Sequence, residues 1–192
     1  MKELILASGS PRRLELLSAF NFSIKVIKPD VDESFDPDFS PAEVVKELSF
    51  KKGSSVAMFK GTEIPLLSAD TIVVLDGNII NKPADRDDAI KMISTLSGRT
   101  HTVFTGVSIF YKEKIETFSV SSDVTFKKLS ETEISDYCDT DEPYDKAGAY
   151  AVQGIGSFMV KSINGSYSNV IGLPVSEVIE CFQKLGIIEG LR

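Results

Sequence analysis

A chain of 192 residues with a formal net charge of −7 is long enough to bury a core as one domain or one domain with two lobes. Its acidity argues against non-specific nucleic-acid binding, which needs a basic surface to neutralise phosphates. With 42% hydrophobic and 26% charged residues it has the composition of an ordinary soluble protein, and no apolar run reaches the ~18–20 residues that span a bilayer.

Lys2–Ala7 reads as a short buried strand, and the Leu4–Ala7 run within it is too short for the apolar part of a signal peptide. The expectation is a cytoplasmic protein with no membrane partner. Next come Ser8-Gly9-Ser10-Pro11-Arg12-Arg13 and then Leu14, Leu16, Leu17 and Phe20 at helical spacing. Ser10 is a natural N-cap and Pro11 a natural first helical residue. That places Arg12 and Arg13 in the first turn, where cations oppose the helix dipole. Strand, glycine turn and helix start coincide there, which points to an anion site; the alternative is a pair of surface arginines on an amphipathic helix.

Ser23–Ile27 reads as a second strand, followed by the acidic loop Pro29–Glu33. Its carboxylates are either a solvated turn or a source of a metal ligand. Pro41 and Glu43 open a helix running to about Met58, with Val44, Val45 and Leu48 on its apolar face and Lys51 and Lys52 also on it; lysines on a helix mean little alone.

Leu66–Leu75 is an apolar run rich in β-branched residues, the pattern of a strand buried on both faces. Ser68, Asp70 and Thr71 interrupt it. An ionised carboxylate in such a run costs several kcal/mol unless a cation or several donors compensate, so Asp70 requires a partner. A structural ion pair or a turn cap would satisfy that requirement as well as a functional site would.

Asp76-Gly77 signals a hairpin turn, leading to a strand over Asn78–Pro83 that holds Lys82 near the hairpin partner of Asp70. Asp85–Leu96 reads as a helix ended by Gly98 as its C′ residue. Thr102–Phe110 and Ile115–Phe126 read as an antiparallel pair, with Thr105-Gly106 marking a bulge or a close backbone approach. Glu131–Cys138 reads as a short helix capped by Ser130. The stretch Asp141–Gly154 mixes charged groups, small residues and glycines, which suits a ligand-facing loop better than a core element. Ser157–Ile163 is expected to be a strand, Asn164–Asn169 a turn-rich stretch, and the residues after Leu173-Pro174 a final amphipathic helix to about Leu185. Two cysteines, Cys138 and Cys181, without CxxC spacing suggest reduced side chains and neither a zinc site nor a disulfide framework. His101 is the one histidine, which excludes chemistry built on a histidine cluster.

Seven segments in order resemble the Maf family: Leu6–Arg13, Val31-Asp32-Glu33, Ala69-Asp70-Thr71, Asn81-Lys82-Pro83, Leu96–His101, Asp145–Tyr150 with Gln153-Gly154, and Asn169–Pro174. They cover nearly the whole chain, expected to be a single domain over residues 1–192, which is far more specific than one short motif. The resemblance implies an α/β fold: an elongated mixed sheet flanked by helices, with two lobes around a cleft, similar to the inosine-triphosphate pyrophosphatases. It implies a nucleoside triphosphate pyrophosphatase that releases the monophosphate and pyrophosphate with a divalent metal, Mg²⁺ or Mn²⁺. Asp70 matches the family's proton acceptor, and Arg12, Thr71 and Gln153 match its specificity positions. Arg13, Lys52, Lys82, Glu33 and Ser8 match residues lining its phosphate and metal site. The Lys146–Tyr150 segment with Gln153 is similar to the branch acting on dTTP and UTP rather than on 7-methyl-GTP. Ala151 and Asn81 stand where glycine is common. A homodimer is the expected assembly.

On this reading Arg12, Arg13 and the helix end at Ser10 hold phosphates, and Lys52 and Lys82 neutralise charge on the bridging oxygen. Glu33 and Asp70 hold the metal, and Asp70 takes the proton of the attacking water. The amide of Gln153 offers an acceptor and two donors, complementary to the N3–H and O4 edge of uracil or thymine; flipped, it suits cytosine, and its bland role is a loop hydrogen bond. The rival function is a nucleotide-sensing regulator of cell division and septum formation that does not turn its ligand over. A kinase is disfavoured by the lack of a P-loop and of an HRD sequence.

Overall fold

The structure is a computed structural model and describes residues 1–190. A seven-stranded mixed sheet has the order β2 (Phe22–Val26), β1 (Lys2–Ala7), β3 (Leu66–Leu75), β5 (Thr100–Tyr111), β6 (Lys114–Phe126), β7 (Val160–Asn164), with β4 (Asn78–Ile80) paired to β3. The chain divides into two compact units, residues 1–70, 105–120 and 172 onward in the first and residues 71–104 and 121–171 in the second. The boundary falls inside β3, β5 and β6. No helix among the described residues is long and apolar enough to cross a membrane.

In the first unit, β1 (Lys2–Ala7) pairs in parallel with β2 (Phe22–Val26) on one side and with the start of β3 (Leu66–Leu75) on the other, Ile5 opposite Leu66 and Ala7 opposite Ser68. Alternation along β1 feeds two cores. Leu4 and Leu6 pack with Leu17 of α1 (Pro11–Ser18) and Val178 and Phe182 of α6 (Val175–Lys184), whereas Ile5 and Ala7 pack with Val56 of α2 (Pro41–Lys60) and Phe110. The helix α2 starts in a complete capping box between Ser40 and Glu43, which satisfies orphan N–H groups at its first turn. β5 (Thr100–Tyr111) and β6 (Lys114–Phe126) are joined by a two-residue turn and are therefore antiparallel. A Cβ on Gly106 would lie 2.1 Å from the Val45 carbonyl oxygen, so the glycine predicted to mark a close approach is where β5 meets α2.

In the second unit, Asp76 and Gly77 both have positive φ, 50° and 78°, the requirement of a tight two-residue hairpin turn. α3 (Arg86–Leu96) and α4 (Glu131–Cys138) cover a core built from Val73, Ile93, Leu96, Val103, Phe126 and Ile134. Ser130 caps α4 as expected, and with Glu133 it forms a complete capping box.

Several expectations are corrected. β2 begins and ends one residue before the predicted strand. β4 (Asn78–Ile80) stops at Ile80, not Pro83, because the carbonyl of Asn81 accepts from Gly148 N at 3.0 Å and leaves the hairpin ladder; Lys82 is thus beyond the strand that was to hold it. Asp85 is the N-cap of α3, accepting from Asp88 N, rather than its first residue. A 3₁₀ turn occupies Ile155–Met159, so β7 is Val160–Asn164, and a short helix α5 (Tyr167–Ile171) starts inside the predicted turn-rich stretch and runs past its end. The Asp141–Gly154 stretch is not a ligand-facing loop throughout: Gly148, Ala149, Tyr150 and Ala151 are buried, and Ala149 and Tyr150 belong to the core.

Candidate functional site

Asp70 finds the cation its setting demands. It ends the first unit's share of β3, flanked by fully buried Ala69, and is itself 7% exposed. Lys52 reaches it from α2, Nζ donating to Asp70 Oδ1 at 2.5 Å. The same ammonium lies 2.8 Å from Glu33 Oε1, a residue of the acidic loop before α2. One lysine thus joins two carboxylates from separate parts of the sequence.

The distance between α2 and β3 is set by small and hydroxyl side chains. Ser68 Oγ, one residue pair along from Asp70 on β3, donates to the Ser49 carbonyl at 2.7 Å, and Ser49 Oγ pairs with Ser108 Oγ at 3.0 Å. Beside Lys52, a Cβ on Gly53 would stand 2.2 Å from the Phe110 ring and 2.5 Å from Ser68 Oγ. Any larger residue there would push the helix, and Lys52 with it, off the strand.

Arg13 is anchored on protein oxygens. Its Nε donates to the Gly172 carbonyl at 2.8 Å, and its Nη1 donates to the Ala69 carbonyl at 2.8 Å and to Ser8 Oγ at 3.1 Å. It therefore ties α1 to the end of β1, to β3 and to the segment leading into α6. Burial lowers the pKa of its guanidinium; the Asp70 charge opposes that shift, and Arg12 and then Glu33 contribute smaller effects of opposite sign. Ser8 Oγ also accepts from Ser10 N at 3.2 Å. Ser10 occupies the N-cap position of α1, as expected, but its side chain makes no capping hydrogen bond, and no acidic residue occupies the first turn. That leaves the helix start without the usual carboxylate or hydroxyl complement to its dipole.

Asp70, Lys52, Glu33, Arg13 and Ser8 are thus brought together within the first unit, with Arg12 and Ser10 at the start of α1. Thr71, Lys82 and Gln153 belong to the second unit: Thr71 is half-buried on β3, Lys82 exposed after β4, and Gln153 half-buried before the 3₁₀ turn. Sequence reasoning missed Gly172, whose carbonyl holds Arg13. Its signal was the Gly172-Leu173-Pro174 run, a backbone feature that advertises no chemistry. It also missed Glu142, which gathers the backbone after Gln153.

No cluster of three or more His, Cys, Asp or Glu residues suited to a metal occurs among the described residues. Glu33 and Asp70 nevertheless share one cationic position, the one Lys52 fills. Two carboxylates suit magnesium or manganese, which take their remaining ligands from phosphate oxygens and water, and do not suit a closed zinc cage.

A family model described as Maf-like protein matches residues 3–185. A protein of Halalkalibacterium halodurans named dTTP/UTP pyrophosphatase is 47% identical over 186 residues, with 97% of each chain covered. One of the same name from Bacillus cereus is 43% identical over 187 residues, again with 97% of each covered. Among solved structures, a HAM1 protein from Coxiella burnetii superposes with a TM-score of 0.57 at 15% identity, over 98% of this chain and 100% of that one. That likeness shows the mixed α/β fold.

Proposed function

The chain belongs to the Maf family, and from that premise we propose that it is a nucleoside triphosphate pyrophosphatase acting on dTTP and UTP. The observation that carries the reading is Asp70, a desolvated carboxylate sustained by Lys52 beside an anchored arginine. The relatives' shared name supplies the substrate class.

Cleavage between the α- and β-phosphates asks for positioning and charge stabilisation more than covalent chemistry. Asp70 accepts a proton from a water whose oxygen forms a bond to the α-phosphorus. The bond from that phosphorus to the bridging oxygen breaks, pyrophosphate leaves and the monophosphate remains. Arg12 and the start of α1 at Ser10 bind phosphate oxygens. Arg13, with Nε and Nη1 committed to Gly172, Ala69 and Ser8, contributes a fixed positive field beside Asp70. Lys52 and Lys82 neutralise the charge that develops on the bridging oxygen. Glu33 and Asp70 would hold Mg²⁺ or Mn²⁺, which when bound supplies charge neutralisation on phosphate and a more acidic water. Gln153 reads the pyrimidine edge through its amide, with Thr71 and Arg12 as the other specificity residues.

Asp70→Asn tests the assignment, since it keeps the shape and removes the base. The expected result is a fall in kcat of about 10²–10⁴-fold, with the fold and nucleotide affinity retained. Activity within about tenfold of the parent would remove Asp70 from the proton transfer.

A further inference from the structure

The backbone that carries Gln153 is pinned on both sides by one phenol–carboxylate pair. Before Gln153, the N–H of Ala151 donates to Tyr137 Oη at 3.3 Å. After it, the N–H groups of Ile155 and Gly156 donate to Glu142 Oε2 and Oε1 at 2.9 and 2.7 Å. The two anchors are joined, because Tyr137 Oη donates to Glu142 Oε1 at 3.0 Å. Glu142 is fixed in turn, its own carbonyl accepting from Lys146 Nζ at 2.5 Å.

The fit leaves no room for slack. Gly154 has φ 82°, and a Cβ on it would lie 2.3 Å from Glu142 Oε2. A Cβ on Gly156 would lie 2.5 Å from the Ala151 carbonyl oxygen and 2.8 Å from Tyr137 Oη. Two glycines close to Gln153 would otherwise leave this backbone permissive. Three donors, two amides and a phenol, converge on one side chain, and only a carboxylate offers acceptors to all of them. Burial first, and then the Glu142 charge, raise the pKa of Tyr137, which keeps the phenol a donor.

We propose that Glu142, acting with Tyr137, is the positioning residue for base selection. It fixes residues 151–156 so that the Gln153 amide is presented in one orientation. The inference rests on the reading of Gln153 as the group that recognises the base. An amide discriminates only if it is held to a fraction of an ångström, because a tilted amide satisfies a purine edge as well as a pyrimidine one.

The test is steady-state kcat and KM for dTTP and dGTP, with Mg²⁺, for the parent and for Gln153→Ala, Glu142→Gln, Glu142→Ala and Tyr137→Phe. The expected result is a parent that prefers dTTP and a Gln153→Ala variant that does not. Glu142→Ala and Tyr137→Phe should lower the dTTP:dGTP ratio of kcat/KM by about tenfold or more. Glu142→Gln should fall between parent and Glu142→Ala, because its single carbonyl oxygen still accepts from one anchor. A merely structural role would lower both substrates together and leave the ratio in place. If Gln153→Ala loses the preference while folded Glu142→Gln and Tyr137→Phe keep it, the positioning role is refuted and the reading of Gln153 stands. A Gln153→Ala variant that keeps the preference, or a parent without one, refutes that reading and the positioning role with it. Should Glu142→Ala fail to fold, the other two variants still decide the matter.

Discussion

Lys52 contacts two carboxylates at nearly equal distance, 2.5 Å to Asp70 and 2.8 Å to Glu33, yet in different surroundings. The Asp70 side chain is 10% exposed and that of Glu33 62%, so water screens the second contact and not the first. Lys52→Met keeps the aliphatic stem and removes the charge, leaving the buried Asp70 without its lysine. Breaking a buried pair in this way costs about 3–5 kcal/mol. Arg13, which feels the Asp70 charge, keeps the loss toward the lower end. Glu33→Gln removes an exposed partner and costs about 1 kcal/mol or less. Urea unfolding at pH 7 in the presence of a chelator measures both. With an m-value of about 3 kcal/mol/M, Lys52→Met lowers the midpoint by about 1 M while Glu33→Gln moves it by about 0.3 M or less. Adding Asp70→Asn to Lys52→Met should recover most of the loss, since the stranded charge is then gone. Equal costs for the two single variants, or a Lys52→Met cost below about 1 kcal/mol, would refute the account of Asp70 as a desolvated carboxylate sustained by Lys52.

Two further predictions concern buried contacts, one in each unit. His101 is buried, its Nε2 paired with Tyr150 Oη at 2.7 Å, and burial pushes its pKa from 6.5 down to about 4. The unfolded chain therefore takes up this proton first as the pH falls. Stability is unaffected by His101 above about pH 6.5 and drops by about 3 kcal/mol toward pH 4, at about 1.36 kcal/mol per unit. Glu133, pulled down to about 2 chiefly by its hydrogen bond from Lys127, loses its contribution at lower pH, between the ordinary carboxylate value and about 2. His101→Gln should remove the decline between pH 6.5 and 4 in urea titrations; an identical decline in the variant would contradict the assignment. Gly53→Ala places a methyl 2.2 Å from the Phe110 ring, and overpacking of this kind costs about 1–3 kcal/mol. Because Lys52 moves with the helix, kcat should fall as well, and a variant with parental Tm and kcat would show that the helix–strand spacing is not limiting.

The parts of the fold that were legible are those where local chemistry and tertiary demand agree. Leu66–Leu75 could only be a buried strand, Asp76-Gly77 could only turn tightly, and Ser130 with Glu133 capped α4 as its pattern required. What was not legible depended on partners distant in sequence. Nothing local says that the Asn81 carbonyl leaves the ladder for Gly148, which shortens β4. The Asp141–Gly154 stretch looked like a loop because it mixes charged groups, small residues and glycines, yet its small residues are what let the backbone pack: a Cβ on Gly148 would lie 3.1 Å from Val73 Cγ2, and Ala149 is buried. Within the site, the need of Asp70 for a cation was readable, but Lys52 was one of several helical lysines. Its selection depends on Gly53 and Ser68 bringing α2 onto β3. That the carbonyls of Ala69 and Gly172 converge on the Arg13 guanidinium was not legible, because both lie far from Arg13 in sequence.

If the chain cleaves dTTP and UTP between the α- and β-phosphates, as we propose, the products decide it. The measurement that tests it most directly incubates purified protein and Mg²⁺ or Mn²⁺ with dTTP, UTP, CTP, ATP and GTP in turn, and assays pyrophosphate, orthophosphate, mono- and diphosphate separately. The expected products are equimolar pyrophosphate and monophosphate from dTTP and UTP, with little turnover of ATP or GTP. Orthophosphate with the diphosphate would contradict the site of cleavage, and tight binding without turnover would make the protein a nucleotide sensor instead.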